Sequence, residues 1–118
     1  AIKYTPDAGI ISVGASVRGN EVIISVKDNG LGIPKAQQSK IFQKFFRADN
    51  VARMNTDGTG LGMYIVKSLA DLLGGRIWFE SEENKGTTFY VALPLNGPQK
   101  HEGTKTLITE GNLKIWKI

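Results

Sequence analysis

The sequence contains no cysteine in its 118 residues, so it has neither a disulfide framework nor a thiolate metal site. This absence suits a reducing compartment. No stretch approaches the roughly 20 consecutive apolar residues that a membrane-spanning helix needs, and the first residues lack the charged-then-apolar pattern of a signal peptide. We therefore expect a cytoplasmic chain that makes no direct contact with a membrane.

The sequence also has little excess of charge of one sign, because its formal net charge is only +4. Residues 1–95 hold 11 Lys/Arg against 9 Asp/Glu, and residues 96–118 hold 4 against 2, so each part carries +2. Neither part has a basic stripe interleaved with aromatic residues, which argues against a nucleic-acid partner. The hydrophobic content of 41% predicts one ordinary globular domain, and the length leaves no room for two.

Two hairpins bracket the pattern of secondary structure. Apolar runs at 10–17 and 22–26 flank a polar turn, and a second pair of runs at 76–81 and 87–95 flanks the turn 82–86, until Pro94 ends the pattern. The apolar spacing after Pro34 predicts a helix through Phe46 with proline at its first position. Residues 47–57 are polar and show neither the helical nor the strand periodicity of apolar residues, so we expect a mobile loop there.

A second helix is predicted after the glycines at 58–62, and it should bury one face. Its apolar stripe comprises Ile65, Val66, Leu69, Ala70, Leu72 and Leu73, and Gly74-Gly75 ends it as a glycine C-cap. Hairpin, helix, loop, helix and hairpin together predict an α+β fold, a two-layer sandwich whose mixed, mostly antiparallel sheet has helices on one face.

The two ends differ from the rest of the chain. Residues 1–6, "AIKYTP", are typical of the last turn of a helix, because Pro6 disfavours helical geometry at Thr5. Residues 96–118 begin as a polar linker and end in the apolar segment "TLITEGNLKIWKI". We therefore divide the chain into a domain at 1–95 and a linker and tail of unknown role at 96–118.

The glycine-rich stretch "DGTGLG" at 57–62 is either a hinge or a phosphate-binding loop. A Walker loop needs lysine followed by Ser or Thr after the last glycine, and Met63-Tyr64 stand there instead. A dinucleotide fingerprint needs a strand directly before the glycines, and none is predicted. A glycine loop that opens a helix can still receive phosphate oxygens on its backbone N–H groups.

The second glycine-rich stretch, "VKDNGLGIP" at 26–34, favours the phosphate interpretation. Asn-Gly between apolar runs is a hairpin signal, but Gly32-Ile33-Pro34 does not continue as a strand. Asp28 then lies at a strand end beside glycines that allow a flat ligand to approach. A carboxylate in that position can accept a hydrogen bond from an exocyclic amine, which distinguishes adenine from guanine, although a lone aspartate there is otherwise a loop cap.

Five motifs in order now resemble a known family. "AIKYTP" at 1–6, "DNGLGIP" at 28–34, "IFQKFFR" at 41–47, "GTGLGMYIVK" at 58–67 and "KGTTFYVALP" at 85–94 are similar to the N box, first glycine box, F box, second glycine box and last hairpin of the ATP-binding catalytic domain of sensor histidine kinases. This domain has the Bergerat-type fold of the wider ATPase group that includes DNA gyrase and a heat-shock chaperone family. The resemblance covers residues 1–95.

The resemblance implies a nucleotide site for ATP or ADP. Asp28 resembles the residue that reads adenine, and Gly30 and Gly32 resemble the pocket floor. Tyr4 resembles an aromatic wall, Ile33 a further nucleotide-binding residue, and Thr88 the hydroxyl residue that supports the base through water. Lys3 resembles a phosphate contact, and Arg47 and Arg53 flank the lid, where each either pairs with phosphate or is simply solvated. The loop that wraps the phosphates corresponds to Gly58, Thr59, Gly60, Leu61 and Gly62. Phe42, Phe45 and Phe46 are left as core residues or lid anchors.

In this family the domain supplies the γ-phosphoryl group of Mg·ATP to a histidine on a separate dimerisation domain, which passes it to a response regulator in a two-component phosphorelay. The parent kinase is often membrane-anchored. An asparagine that ligates Mg²⁺ precedes the position of Ala1, so we expect an incomplete Mg²⁺ site, no catalytic residue within this chain, and little activity of the chain alone. His101 is followed by Glu102, but "QKHEG" ends in glycine and lacks the helical context of a phosphoacceptor, so we expect a solvated linker residue.

Two alternatives remain from the sequence alone. A non-catalytic interaction or dimerisation module would keep the sandwich and use an exposed apolar sheet face, or the tail, to hold a partner or a second copy. An ATPase of the gyrase or chaperone kind would need a catalytic glutamate before Ala1, and the short lid disfavours it.

Overall fold

The computed structural model describes residues 1–52 and 58–97. Four strands form one antiparallel sheet in the order β1-β2-β4-β3, and the helices lie on one side of it, which confirms the predicted α+β fold. The elements in chain order are a 3₁₀ turn Ile2–Tyr4, β1 Ile11–Arg18, β2 Glu21–Asp28, a 3₁₀ helix Lys35–Lys40, α1 Asp49–Ala52, α2 Gly62–Leu72, β3 Arg76–Glu82 and β4 Gly86–Pro94.

Both predicted hairpins form, and their strands end within two residues of the predicted limits. In the first, Arg18 pairs with Glu21 across a two-residue turn, and in the second, Glu82 pairs with Gly86 across a three-residue turn. The N–H of Asn84 in the second turn donates to the carbonyl of Leu31 at 2.7 Å. This bond fastens the β3–β4 turn to the loop that follows β2.

The pairing register divides the sheet into an apolar face and a polar face, since cross-strand partners share a face. The polar face carries Trp78 stacked on Tyr90, with ring centroids 5.2 Å apart and an interplanar angle of 12°. Arg76 forms hydrogen bonds with Glu21, and the resulting contact holds the pKa of the Glu21 carboxyl below its usual value. The apolar face, on the helix side, carries Ile11, Val13, Ala15, Val17, Val22, Ile24, Val26, Phe89, Val91, Leu93, Ile77 and Phe79.

Helix α2 begins at the glycine loop and ends in the predicted glycine cap. The N–H of Gly74 donates to the carbonyl of Asp71 at 3.1 Å, and the N–H of Gly75 donates to the carbonyl of Ala70 at 2.8 Å. Gly74 has a φ of +72°. This pair of bonds is the Schellman motif, which satisfies two carbonyls at the helix end, so the cap prediction is confirmed.

The prediction that α2 buries its apolar stripe is wrong for most of the stripe. Only Ala70 is buried, whereas Leu69 is 52% exposed and Leu72 is 74% exposed. The physical reason is that α2 packs mainly on β3 and β4, and no described helix packs extensively on β1. Val13 on that part of the sheet is accordingly 73% exposed, so the sheet has the exposed apolar face that the interaction-module alternative would use.

The predicted helix from Pro34 through Phe46 is also corrected. It is a 3₁₀ helix that ends at Lys40, and turns follow it. The Gln38 side-chain amide donates to the carbonyls of Ile33 and Ser81 at 3.0 and 3.1 Å, so it ties the short helix to the loop and to β3. Phe45 then adopts a left-handed φ of +62°, which a continuing helix would not allow.

The N-terminal prediction is confirmed in outline. Ile2–Tyr4 form one 3₁₀ turn, and Thr5 before the proline is extended, with φ −101° and ψ 128°. Within 47–57, α1 replaces part of the predicted loop. Arg53, His101 and the segment 106–118 lie outside the described residues, so their predicted roles, and the boundary at residue 95, stay predictions. Among the described residues, no helix is long and apolar enough to cross a membrane.

Candidate functional site

A cavity of about 500 Å³ opens between the sheet, the loop after β2 and the start of α2. Its volume lies within the usual range for small-molecule sites. Ten of the predicted site residues line it: Lys3, Tyr4, Asp28, Gly32, Ile33, Arg47, Gly58, Thr59, Gly60 and Gly62. Both glycine-rich stretches of the sequence therefore meet at one cavity, although they are about thirty residues apart in the chain.

Asp28 is the buried carboxylate of this cavity, with only 6% of the residue exposed. Its Oδ1 accepts hydrogen bonds from the backbone N–H groups of Gly30 at 3.0 Å and Thr87 at 3.2 Å. Its other oxygen, Oδ2, accepts no hydrogen bond from the residues that the structure describes. Backbone donors thus fix the orientation of the carboxylate and leave one oxygen able to accept from a ligand.

The loop after β2 is held against its neighbours by close backbone approaches. Gly86 has a φ of +116°, and a Cβ added there would lie 2.0 Å from the carbonyl oxygen of Asp28. Gly30, which does not line the cavity, packs on the 3₁₀ turn, where the Leu31 N–H donates to the Tyr4 carbonyl at 3.1 Å. These contacts place Asp28 and Tyr4 at the same cavity.

Of the two adjacent threonines in β4, Thr87 lines the cavity and the predicted Thr88 does not, so the prediction of Thr88 is corrected. Thr88 pairs with Lys27 and therefore lies on the polar face of the sheet, whereas Thr87 pairs with Asp28 on the cavity side. Thr87 is 6% exposed, and its hydroxyl oxygen lies 2.8 Å from the Ser81 hydroxyl oxygen. The alternation that continues from Thr87 to the apolar Phe89 and Val91 was the signal that distinguishes the two threonines.

Positive charge and a helix N-terminus lie at the same cavity. Lys3 and Arg47 both line it, and so do the loop residues Gly58 and Gly60. Gly60 adopts a φ of +70°, and a Cβ added there would lie 2.7 Å from the carbonyl carbon of Phe45. The first turn of an α-helix presents backbone N–H groups and the positive end of its dipole, which favour an anion. Leu61 precedes α2 without lining the cavity.

The remaining walls are apolar, and most of them were not predicted. Phe46, Ala48, Val51, Met63, Val66, Ile41 and Phe89 line the cavity. Of the three phenylalanines whose role was left open, Phe46 reaches the cavity, Phe42 packs edge-on against Phe79 at 5.7 Å, and Phe45 is 73% exposed. An apolar wall beside a few fixed polar groups suits a ligand with a flat, partly apolar portion.

The described residues do not supply a magnesium site. They contain no group of three or more His, Cys, Asp or Glu side chains placed to hold a metal ion. Asp28 is the one carboxylate among the described residues that line the cavity, and its Oδ1 is already bonded to two backbone N–H groups. Mg²⁺ prefers several oxygen ligands, so this donor set does not fit the ion.

Comparison with protein families identifies the family of this chain. The sequence model described as "Histidine kinase-, DNA gyrase B-, and HSP90-like ATPase" matches residues 1–97. The chain belongs to this ATPase family. The match covers both glycine-rich stretches and the last hairpin.

The relatives of this ATPase domain include sensor histidine kinases. The chain is 40% identical over 104 residues to the sensor histidine kinase WalK of Bacillus subtilis, and the alignment covers 86% of the chain but only 17% of WalK. It is 38% identical over 102 residues to the sensor-like histidine kinase SenX3 of Mycolicibacterium smegmatis, covering 86% of the chain and 27% of that protein. The chain thus spans under a third of either protein.

Solved structures of histidine kinases share the fold. The catalytic domain of ThkA has a TM-score of 0.65 at 36% identity, covering 80% of this chain and 58% of that one. Full-length ShkA in complex with AMPPNP has a TM-score of 0.66 at 34% identity, covering 80% of this chain and 19% of that one. These similarities extend through most of the described residues.

Proposed function

We propose that this chain is the ATP-binding part of a sensor histidine kinase, which supplies the γ-phosphoryl group of Mg·ATP to a histidine on the kinase's dimerisation domain. A response regulator would then receive the phosphoryl group. The observation that carries the proposal is Asp28, a buried carboxylate at the cavity whose Oδ1 is held by two backbone N–H groups. Such a carboxylate accepts from the exocyclic amine of adenine.

The rest of the cavity suits the phosphate groups of the same ligand. Lys3 and Arg47 supply positive charge, and the loop 58–62 with the start of α2 supplies backbone N–H groups. ShkA, a structural relative, is known in complex with AMPPNP. The proposed orientation puts the adenine at Asp28 and the phosphates near Lys3, Arg47 and the glycine loop.

Lys3→Gln tests the phosphate part of this orientation. We expect it to lower the affinity for ADP about tenfold, because a charge-assisted contact to phosphate contributes roughly 1.5 kcal/mol. The affinity for adenosine should change less than twofold, since adenosine lacks the phosphates. Isothermal titration calorimetry with both ligands measures the two effects.

The matched control is Lys27→Gln, which removes the same charge from the polar face of the sheet, away from the cavity. This variant should bind ADP as the wild type does. Equal losses for ADP in the two variants would assign the effect to net charge and contradict the proposed orientation. Equal losses for ADP and adenosine in Lys3→Gln would contradict it as well.

Phosphoryl transfer itself is proposed only for the parent kinase. Transfer depends on positioning and on charge stabilisation, in which the metal ion takes a large part. Because the described donor set does not fit Mg²⁺, we expect the chain alone to bind nucleotide without appreciable turnover.

A second candidate function, self-association through the sheet, is favoured by the exposed apolar face of β1. This strand lies at the sheet edge, all eight of its residues are exposed, and Val13 and Val17 are 73% and 64% exposed. An edge strand with an apolar face invites pairing with another copy of the chain. In this function the nucleotide cavity would be inherited and not used for turnover.

Val13→Lys/Val17→Lys tests this candidate. We expect wild-type chains to form a dimer whose fraction rises with concentration, and the double variant to remain monomeric, because two buried lysines would prevent apolar pairing. Light scattering coupled to gel filtration measures the mass. Ser12→Lys/Ser16→Lys places the same charges on the polar face of the same strand and should leave the dimer intact. A monomeric wild type would eliminate this candidate.

A further inference from the structure

Ser81 lies behind the cavity wall and does not line the cavity. Its hydroxyl oxygen nevertheless touches three groups that position the base end of the site. It accepts from the Ile33 N–H at 2.8 Å, lies 2.8 Å from the Thr87 hydroxyl oxygen, and lies 3.2 Å from the Gly86 carbonyl oxygen. One side chain thus joins the loop after β2, strand β3 and the start of β4.

Counting protons determines which way the two hydroxyls point. A serine hydroxyl has one proton, and the Gly86 carbonyl can only accept. If Ser81 donates to Gly86, then Thr87 must donate to Ser81, and three hydrogen bonds form around Ser81. If Ser81 donates to Thr87, the contact with Gly86 is lost and only two form. The first arrangement has one more hydrogen bond and is therefore favoured.

In the favoured arrangement the Thr87 hydroxyl donates its one proton in the hydrogen bond to Ser81. It can then only accept at the cavity, which it lines beside Asp28. Asp28 Oδ2 is also an acceptor, so both polar side chains at this end of the cavity are acceptors. A 6-amino purine offers two N–H donors at position 6, whereas a 6-oxo purine offers an acceptor at position 6 and a single N–H donor at N1, so two facing acceptors disfavour it.

We propose that Ser81 is a positioning residue for base selection: it holds the Thr87 hydroxyl as an acceptor, and so increases the preference of the site for 6-amino over 6-oxo purine nucleotides. The proposal rests on the proposed nucleotide-binding function and names the feature of the base that the site reads. Ser81 acts only through Thr87 and touches no ligand.

The test compares ADP with inosine diphosphate, which has an oxygen at position 6 and a proton on N1, by calorimetric titration of the full chain. Ser81→Ala frees the Thr87 hydroxyl to rotate and donate, so the ratio of the two affinities should fall about tenfold. A purely structural role would weaken both nucleotides equally and leave the ratio unchanged. Ser81→Thr keeps the hydroxyl and suits a strand, so its ratio should lie within twofold of the wild type.

Thr87→Val is a second variant that removes the Thr87 hydroxyl and leaves the Ile33 N–H bonded to Ser81. It tests the proposal even if Ser81→Ala does not fold. Its ratio should also fall about tenfold. In the Thr87→Val background, Ser81→Ala should cause no further change in the ratio, because the group through which Ser81 acts is absent.

Three outcomes would overturn the proposal: an unchanged ratio in Ser81→Ala, an unchanged ratio in Thr87→Val, or a further fall when the two changes are combined. Each leaves nucleotide binding by the wild type intact, and so contradicts only the role of Ser81. A wild-type chain that binds neither nucleotide would overturn the proposed function itself, and the role of Ser81 with it.

Discussion

Asp28→Asn is expected to reverse the base preference of the site as well as weaken it. The amide oxygen of asparagine can keep the two bonds from the Gly30 and Thr87 N–H groups, which now go to Oδ1. The amide nitrogen then takes the place of Oδ2, so a donor faces the ligand where an acceptor stood. The fold should survive this change, because the buried backbone donors stay paired.

The expected size of the effect follows from the charge that is lost. A hydrogen bond to a charged group contributes about 1.5–3 kcal/mol, and a donor placed against the adenine amine adds a penalty, so ADP affinity should fall about 100-fold. Inosine diphosphate, with an acceptor at position 6, should then bind more tightly than ADP. Calorimetric titration of both nucleotides measures the reversal.

The matched control for this change is Asp71→Asn. Asp71 lies near the end of α2, away from the cavity lining, and forms an exposed ion pair with Lys67 at 2.7 Å. Exposed pairs of this kind contribute little to stability, so the control should bind ADP as the wild type does. An ADP affinity within threefold of the wild type for Asp28→Asn would contradict the assignment of Asp28 as the group that binds the base.

Gly86→Ala is expected to cause the largest loss of stability among the single changes considered. Its φ of +116° is a conformation that side chains rarely adopt, and the new Cβ would lie 2.0 Å from the Asp28 carbonyl oxygen and 2.7 Å from the Asn29 Cα. Both neighbours are backbone atoms, so neither can turn aside. We expect the free energy of unfolding to fall by about 3 kcal/mol or more, with ADP binding lost because Asp28 is displaced.

Gly19→Ala separates backbone conformation from crowding. Gly19 also has a left-handed φ, +58°, but a Cβ there would meet nothing within 4 Å. Its substitution should therefore cost only about 1–2 kcal/mol and leave the cavity intact. Urea unfolding of both variants gives the comparison. Equal losses of unfolding free energy for Gly86→Ala and Gly19→Ala would show that the close approach of β4 to the Asp28 carbonyl does not constrain residue 86.

The strands were predictable from sequence because each carries its own alternating pattern and each turn its own polar residues. Local patterns also predicted the glycine cap at Gly74-Gly75. The 3₁₀ helix that ends at Lys40 was not predictable in the same way. Its length depends on Gln38 reaching the carbonyls of Ile33 and Ser81, and the contact to Ser81 is distant in sequence.

The site was predicted where a motif is local and was missed where the strand register decides. Asp28 with its glycines and the loop 58–62 were identified from adjacent residues, and the structure brings both to the cavity. The choice between Thr87 and Thr88 instead depends on which residue pairs with Asp28, and a shift of one residue reverses the face. Ser81 had no local signal, because its significance comes from contacts with Ile33 and Thr87.

The exposed stripe of α2 illustrates a different limit. Periodicity correctly identified the apolar residues of the helix, but it cannot say whether another element covers them. Leucine and valine are residue types common in protein cores, yet Leu72 is 74% exposed and Val13 is 73% exposed. Burial depends on the neighbouring elements, so a pattern of hydrophobic residues alone does not establish it.

The most direct test of the central claim is a titration of the wild-type chain with ADP, followed through the backbone amide resonances. We predict saturable shifts of the Gly30 and Thr87 amides, which bond to Asp28, and of the amides of Gly58, Gly60 and Gly62. The amides of Ser12 and Ser16, on the polar face of the edge strand, should not move. No shift at Gly30, Thr87 or Gly60 at millimolar ADP would contradict the claim that this cavity binds an adenine nucleotide.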